Sequence, residues 1–329
     1  MAITFGCTLP SRGSLASPEI LRSLAQRAED LSFDSIWVSD HVILPREVES
    51  FYPYAADGVP TFTPDQPYYD PIATLNFLAA CTEKLRLGTH VLILPYRNPV
   101  VTAKMLATLD VLSGGRLTLG IGVGWMEEEF KALGLDNYEQ RGEVSNEYIQ
   151  LFKELWTQDH PEFQGKHYQI SGSGFQPKPL QKPHPPIWIG GHTSPAIRRA
   201  AAFGDGWMPI GLRPPAILEP EELGDKITRL KDLTEKEGRP RDAVSLCFST
   251  DVEFNDNPKI DRRMMSGLPE QVAADLRQYQ DLGVGNFIIS FPSDTPDGQR
   301  IAMEKFSREV MPLIPVSYTH LTLPTIYSV

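Results

Sequence analysis

Prolines that follow a capping side chain recur along this chain, and apolar runs come before them. The pairs are Ser17-Pro18, Asp70-Pro71, Asn98-Pro99 and Ser194-Pro195. Ser, Asp and Asn side chains accept hydrogen bonds from the free N–H groups of a new helix, and proline fits the first helical position, where its missing N–H is not needed. Each pair therefore predicts a helix start, with Ser194 as the N-cap of the last one. Strands that alternate with such helices are typical of parallel βαβ units.

The pattern repeats eight times. The predicted strands cover 3–8, 34–39, 85–91, 116–122, 187–190, 205–209, 244–250 and 285–291. The predicted helices cover 18–31, 71–83, 99–113, 141–157, 195–203, 220–237, 269–282 and 297–311. Eight units predict an α/β fold of the (β/α)8 TIM barrel type, which usually takes about 250 residues plus insertions. A doubly wound open sheet is the alternative, because it uses the same alternation.

Charge and composition limit the kinds of partner. The 329 residues include 42 Asp and Glu against 31 Lys and Arg, a net charge of −11. An acidic chain with dispersed charges disfavours nucleic acid and anionic membranes as partners and favours a small-molecule substrate. No signal peptide is visible, and no apolar run approaches the ~20 residues of a membrane-spanning helix. Three cysteines without paired spacing or nearby histidines predict no metal site and a reduced, cytoplasmic setting.

Two segments depart from the repeat. Residues 44–69 form a Pro- and Tyr-rich insertion after the second strand. At that place it would lie over the C-terminal face of a barrel, where barrel enzymes keep their chemistry, and we expect it to gate the substrate. Residues 316–329 follow the last helix without a partner unit, and we interpret them as a non-native or disordered tail. Residues 1–315 are predicted to form a single domain.

Polar side chains follow the second and third strands. Asp40 and His41 come directly after strand 34–39, and a carboxylate beside an imidazole suits acid–base work or the orientation of a polar ring. The alternative is a turn cap followed by a surface histidine. Thr89 and His90 are placed at the mouth of the third strand, where His90 is alternatively a half-buried histidine with its own partners.

Glycines mark the fourth and fifth strands. Gly120, Gly122 and Gly124 lack the spacing of a dinucleotide-binding loop, and we interpret them as flat backbone against a planar ligand. The acidic run 127–129 that follows is interpreted as the decoration of a first helical turn. Gly190 and Gly191 lead into a new helix, where backbone N–H groups attract a phosphate. An ordinary βα turn has the same local pattern.

Together these motifs resemble the luciferase-like monooxygenase superfamily, the TIM barrels that use flavin or deazaflavin. The resemblance covers nearly the whole of 1–314 and is greatest to oxidoreductases that use coenzyme F420. The motifs are Ser39-Asp40-His41, Leu87-Gly88-Thr89, Arg97-Asn98-Pro99, Asp110 to Arg116, Gly120 to Trp125, Arg141-Gly142, Pro185 to Gly191 and Gly204 to Trp207.

The resemblance implies a site at the ends of four strands. It places Asp40 and His41 against the cofactor ring as catalytic residues. It implies a bulge after the third strand, often with a non-prolyl cis peptide, and a homodimer. The positions that it implies for cofactor binding are Asp40, Thr89, His90, Val91, Val123, Gly124, Gly190, Gly191 and Thr193.

The implied activity is hydride transfer between coenzyme F420 and a small organic substrate. An FMN-dependent monooxygenase that uses reduced flavin and oxygen is the alternative, and a flavin-binding barrel without turnover is the second. One residue departs from the F420-dependent pattern. Some members have a glutamate as proton donor directly after the glycines of the fourth strand, where this chain has Trp125.

Overall fold

The computed structural model describes residues 3–60, 62–255 and 262–314, and the predicted tail 316–329 lies outside them. The barrel strands are β1 (Thr4–Thr8), β2 (Ser35–Val38), β3 (Arg86–Thr89), β4 (Leu117–Gly122), β5 (Ile187–Gly190), β6 (Gly206–Met208), β7 (Ser245–Asp251) and β8 (Asn286–Ser290). Each strand pairs in parallel with the next, and β8 pairs with β1. The ring is closed, which confirms the (β/α)8 barrel and excludes the open sheet.

Helices cover the outside of this barrel. They are α1 (Pro18–Asp30), α2 (Pro71–Cys81), α3 (Pro99–Leu112), α4 (Glu127–Ala132), α5 (Arg141–Thr157), α6 (Ser194–Phe203), α7 (Pro220–Lys236), α8 (Pro269–Asp281) and α9 (Pro296–Lys305). The eight predicted helices do not include α4, a helix of six residues between β4 and α5, although the acidic run 127–129 predicts a first helical turn there. Short strand pairs add Leu92–Ile93 beside β4, Phe163–Gln164 with Gln169–Ile170, and Glu253–Phe254 with Ser266–Gly267.

Three of the predicted helix caps are confirmed. Ser17 accepts a hydrogen bond from the backbone N–H three residues on, and Asp70 does the same for α2. Asn98 accepts from the N–H groups two and three residues on, at the start of α3. These bonds satisfy donors that a helix start would otherwise leave free.

The fourth predicted cap is wrong. The helix after the glycines begins at Ser194, so that Thr193 is the N-cap, and its side chain makes no capping hydrogen bond. The Ser194 hydroxyl accepts a hydrogen bond from Arg229 on the neighbouring α7 instead. The Ser194 side chain, which the local pattern predicts as a cap, therefore binds a residue of another helix.

Two indole rings fill the middle of the barrel. Trp37 of β2 stacks on Trp188 of β5, with ring centroids 5.5 Å apart. A Cβ atom at Gly6 or Gly88 would overlap Trp37, and one at Gly206 would overlap Trp188. The glycines of these strands thus make room for large side chains, and the interior is a packed core rather than a channel. A ligand site must lie above this core, at one end of the barrel.

The three cysteines are free thiols in this fold. Cys7 in β1 and Cys247 in β7 are buried, as the sequence predicts, and Cys81 is half-buried at the end of α2. Over the described ranges, no helix combines the length and the apolar character that crossing a membrane requires.

Candidate active site at the carboxyl ends of the strands

His41 follows β2, and its imidazole is held by the carboxylate of Glu129 on α4. The distance between His41 Nδ1 and Glu129 Oε2 is 2.5 Å, and the Glu129 side chain is fully buried. The same carboxylate accepts hydrogen bonds from the N–H groups of Val42 and Ile43 and from the Tyr96 hydroxyl. Four donors around one group match the acceptor capacity of an ionised carboxylate. Nδ1 therefore carries the proton in this contact, and Nε2 is the nitrogen left for other chemistry.

Aromatic rings of the 44–69 segment surround this imidazole. The ring centroids of Phe62 and Tyr68 lie 4.9 and 5.2 Å from that of His41. Trp125, directly after the glycines of β4, lies 6.2 Å away and packs on Tyr52 at 5.0 Å. The insertion therefore lies at the carboxyl ends of β2 and β4, where its position in the sequence predicts it. Its rings leave His41 only 8% exposed.

The acidic run at the start of α4 has a different role from the predicted one. Glu127 pairs with Lys131 on the helix surface, as helix decoration would. Glu128 instead accepts hydrogen bonds from the backbone N–H groups of Glu49 and Ser50 and fastens the 44–69 segment. Glu129 points inward to His41. The helical prediction for this run was right, but two of its three carboxylates bind other parts of the chain.

Asp40 faces away from the partners of its neighbour His41. Its carboxylate receives two hydrogen bonds from Arg97, at 2.6 and 2.7 Å, and one from the N–H of Ile93 at 2.9 Å. Burial raises the pKa of Asp40, and the ion pair with Arg97 opposes that rise. Burial also acts to lower the pKa of Arg97, but the carboxylates of Asp40 and Asp70 raise it overall. The two adjacent residues thus belong to separate hydrogen-bond networks.

The chain bulges after β3, where the resemblance predicts it. The peptide bond between His90 and Val91 is cis, and the Thr89 hydroxyl donates to the Gly120 carbonyl at 2.6 Å. A Cβ at Gly122 would lie 2.5 Å from a Val91 methyl group, and one at Gly190 would lie 2.8 Å from the other.

This bulge corrects the interpretation of the β4 glycines. A Cβ at Gly120 would overlap the Thr89 carbonyl oxygen, so Gly120 and Gly122 make room for the bulge. The interpretation from sequence places a planar ligand against these glycines, whereas the bulge occupies that space in the structure. Position 124 requires glycine because its φ is +85° and because a Cβ there would lie 2.8 Å from the Phe130 ring. Val123 before it is half-buried.

His90 of the bulge is a buried imidazole with an unsatisfied nitrogen. Within the described ranges its Nε2 has no hydrogen-bond partner. Burial, together with the positive charge of Arg213, lowers the pKa of His90 to about 3, although Asp251 opposes this. The ring is therefore neutral at physiological pH and offers a polar nitrogen beside the mouth of the barrel. A ligand atom at that place would satisfy it.

The loop after β5 has the features of an anion site. Gly191 has φ at +85°, and its carbonyl accepts a hydrogen bond from Trp207. The next residue, His192, has a buried Nδ1 without a partner in the described part of the chain, and burial, with the charge of Lys226, lowers its pKa. Arg229 of α7 donates a hydrogen bond to the hydroxyl of Ser194, the first residue of α6. Free helix N–H groups, a cation and an unsatisfied imidazole suit the phosphate of a nucleotide-like cofactor.

The predicted positions thus fall at the same end of the barrel, at or directly after the last residues of β2, β3, β4 and β5. A model of the luciferase-like monooxygenases matches residues 3–260 of the sequence. The chain belongs to this family. The match covers all the residues that carry the motifs, and the predicted resemblance is confirmed.

Relatives in the luciferase-like family use two kinds of cofactor. The chain is 26% identical over 334 residues to the F420-dependent glucose-6-phosphate dehydrogenase of Amycolatopsis mediterranei, covering 90% of this chain and 94% of that protein. It is 35% identical over 145 residues to the FMNH2-dependent dimethylsulfone monooxygenase of Pseudomonas putida, covering 44% and 40%. A solved F420-dependent secondary alcohol dehydrogenase has the same fold, with a TM-score of 0.76, 18% identity and coverage of 96% and 100%.

Proposed function

We propose that this luciferase-like oxidoreductase transfers a hydride between coenzyme F420 and a small organic substrate, with His41 as its acid–base residue. The observation that carries the proposal is the contact of His41 Nδ1 with the buried Glu129. A passive binding protein has no need of a dedicated carboxylate behind a histidine that faces a ligand site. The deazaflavin, when bound, supplies a hydride carrier that does not activate oxygen, and the protein supplies position and electrostatics.

The cofactor would be held by the bulge and by the glycine loop. We assign Thr89, His90 and Val91, with Val123 and Gly124 beside them, to the ring, because the bulge after β3 and the unsatisfied His90 nitrogen lie there. Gly190, Gly191 and Thr193 are assigned to the phosphate. These residues fit a cofactor with a planar ring at one end and a phosphate at the other.

Within this site His41 would exchange a proton with the substrate through Nε2. Glu129 fixes the tautomer, and the rings of Phe62, Tyr68 and Trp125 exclude water around the imidazole. We propose a positioning role for Asp40 instead of a catalytic one, because its carboxylate is committed to Arg97 and to the backbone after the bulge.

The test is the absorbance spectrum of the purified protein titrated separately with F420 and with FMN. A saturable spectral change with F420, followed by bleaching with a reductant and recovery with an organic acceptor, supports the proposal. Binding of FMN with substrate-dependent oxygen uptake supports the monooxygenase reading instead, which the similarity to the dimethylsulfone monooxygenase favours. A bound cofactor that no substrate reoxidises would leave a flavin-binding barrel without turnover.

Replacement of Gly191 by leucine is expected to weaken cofactor binding by about 10-fold or more, equivalent to at least ~1.4 kcal/mol. A side chain at φ +85° is strained, and its Cβ would lie 3.5 Å from that of Ala196 at the start of α6. The dissociation constant from the titration measures the effect. Gly172 is a matched control, since its φ is +60° and a Cβ there meets nothing within 4 Å. Equal losses in both variants would place the phosphate elsewhere.

The 44–69 segment is proposed to control substrate entry. The Tyr68 hydroxyl donates to Ser39 at 2.7 Å, and Glu128 holds the backbone at Ser50, so both parts of the segment are fastened around the site. Shortening between these anchors is expected to change KM with little change in the melting temperature. A large loss of stability would show that the segment belongs to the core.

A homodimer is proposed through the outer face of α3. Val101, Met105 and Leu112 follow one another at helical spacing and are 56%, 40% and 70% exposed. An apolar stripe of this kind on a surface helix is typical of an interface. Sedimentation should give twice the chain mass of 36.8 kDa, and a single-chain mass would contradict the proposal.

A further inference from the structure

Arg12 is a half-buried cation beside the site that has no anionic partner in the described part of the chain. It follows β1, and its guanidinium carbon lies 5.3 Å from the ring centroid of Phe62. That ring packs on His41. No hydrogen bond or ion pair of the Arg12 side chain joins it to residues 3–60, 62–255 or 262–314. Its positive charge is therefore not neutralised by a neighbouring carboxylate.

Two other arginines near the mouth of the barrel are neutralised by carboxylates. Arg97 binds the carboxylates of Asp40 and Asp70, and Arg213 forms two hydrogen bonds with Asp251. Buried ion pairs of this kind have little net charge to offer a ligand. Arg12 differs from them, because it lies over the aromatic face of Phe62 and has no carboxylate partner among the described residues. In a chain with a net charge of −11, an unpaired guanidinium at a site mouth creates a local preference for anions.

The charge of Arg12 acts on the space next to His41. Burial raises the pKa of Tyr52 and of Tyr68, and Arg12 opposes the rise at both hydroxyl groups. Since the Tyr68 ring lies 5.2 Å from the ring of His41, the guanidinium is within electrostatic reach of the candidate reaction centre. Ser11, the preceding residue, adds a buried hydroxyl without a partner in the same described ranges.

We propose that the organic substrate carries an anionic group, such as a carboxylate, and that Arg12 binds it. The guanidinium fork matches a carboxylate, and a charge-assisted hydrogen bond is stronger where aromatic rings exclude water. Phe62, Tyr68 and Trp125 would pack on the apolar part of the same molecule. This inference rests on the proposed function, because it identifies the site as the place of the substrate.

The test compares benzoate with benzamide, which has nearly the same shape without the charge. Titration calorimetry on the full-length protein measures both dissociation constants at low and at physiological salt. The wild type is expected to prefer benzoate, more strongly at low salt. Arg12→Gln is expected to lose about 10- to 100-fold in benzoate affinity and to keep its affinity for benzamide. Arg12→Lys should retain part of the preference, since the charge remains but the fork is lost.

Arg22→Gln is the matched control, because Arg22 is an exposed arginine of α1 that also lies over an aromatic ring, that of Phe77. Its benzoate affinity should equal that of the wild type. Unchanged benzoate affinity in Arg12→Gln, or a wild type that binds both probes equally, would overturn the inference. The proposed function fails separately, if the absorbance titration shows no F420 binding. That titration contains neither benzoate nor benzamide, so the two failures can be told apart.

Discussion

Replacement of His41 by alanine is expected to lower kcat by about 10²- to 10⁴-fold, the usual contribution of a general acid–base residue. The imidazole is held through Nδ1 by Glu129, and among the described residues no other histidine shares this position between the rings of the 44–69 segment. F420 affinity should fall much less, because the residues assigned to the phosphate lie after β5. Steady-state turnover and the F420 dissociation constant, measured on the same preparation, separate the two effects.

His160→Ala controls for the loss of a histidine as such, since His160 is exposed. Tyr68→Phe keeps the ring that packs on His41 and removes only the hydroxyl that donates to Ser39. We expect it to retain turnover within about 10-fold, because a neutral hydrogen bond contributes only ~0.5–1.5 kcal/mol. Full turnover in His41→Ala would mean that the imidazole only packs against the site and that the catalytic assignment is wrong.

The barrel could be predicted because its signals are local. Ser17, Asp70 and Asn98 cap the helices that they precede, and the bond that each makes spans two or three residues. The strands between are short apolar runs, and their order along the chain is their order around the ring. Where a distant partner competes, as Arg229 does for Ser194, the local prediction is wrong.

Glu129 could not be found in this way. The run 127–129 has three identical side chains, and successive residues of a helix point about 100° apart. Only the rotation of α4 about its axis decides that Glu127 meets solvent and Glu129 meets His41, 88 positions away in the sequence. The apolar Phe130 beside Glu129 is the one local sign of an inward face, and it is weak in so short a helix.

The glycines of β4 illustrate a different limit. A glycine shows that a side chain is excluded, but the sequence does not say what occupies the space. Thr89 and Val91 fill it at Gly120 and Gly122, because the chain bulges after β3. A planar ligand would have required the same residues. The resemblance predicted the bulge, whereas the spacing of the glycines alone did not.

Replacement of Glu129 by glutamine is expected to lower kcat by about 10²-fold or more, since the same change to the carboxylate of a Ser-His-Asp triad costs about 10⁴. Glutamine keeps the size of the side chain but turns an NH2 group toward donors. Four donors now meet one acceptor oxygen, so the His41 tautomer is no longer fixed. KM should change little, because Glu129 acts through His41 without touching the substrate. This split between kcat and KM is the signature of a positioning residue.

The same substitution is expected to lower the free energy of unfolding by ~1–3 kcal/mol, because buried donors lose their acceptor. Urea unfolding measures this loss. The kcat of each variant must be measured without urea, at a temperature well below its thermal unfolding transition, so that all molecules are folded. Glu127→Gln is the matched control from the same helical turn, with its carboxylate paired to Lys131 at the surface. Tyr96→Phe removes one of the four donors and leaves His41 bound, so its loss in kcat should be the smaller one. If Glu127→Gln and Glu129→Gln lower kcat equally, the buried carboxylate has no special part in turnover. The function of His41 would then not depend on the contact through Nδ1.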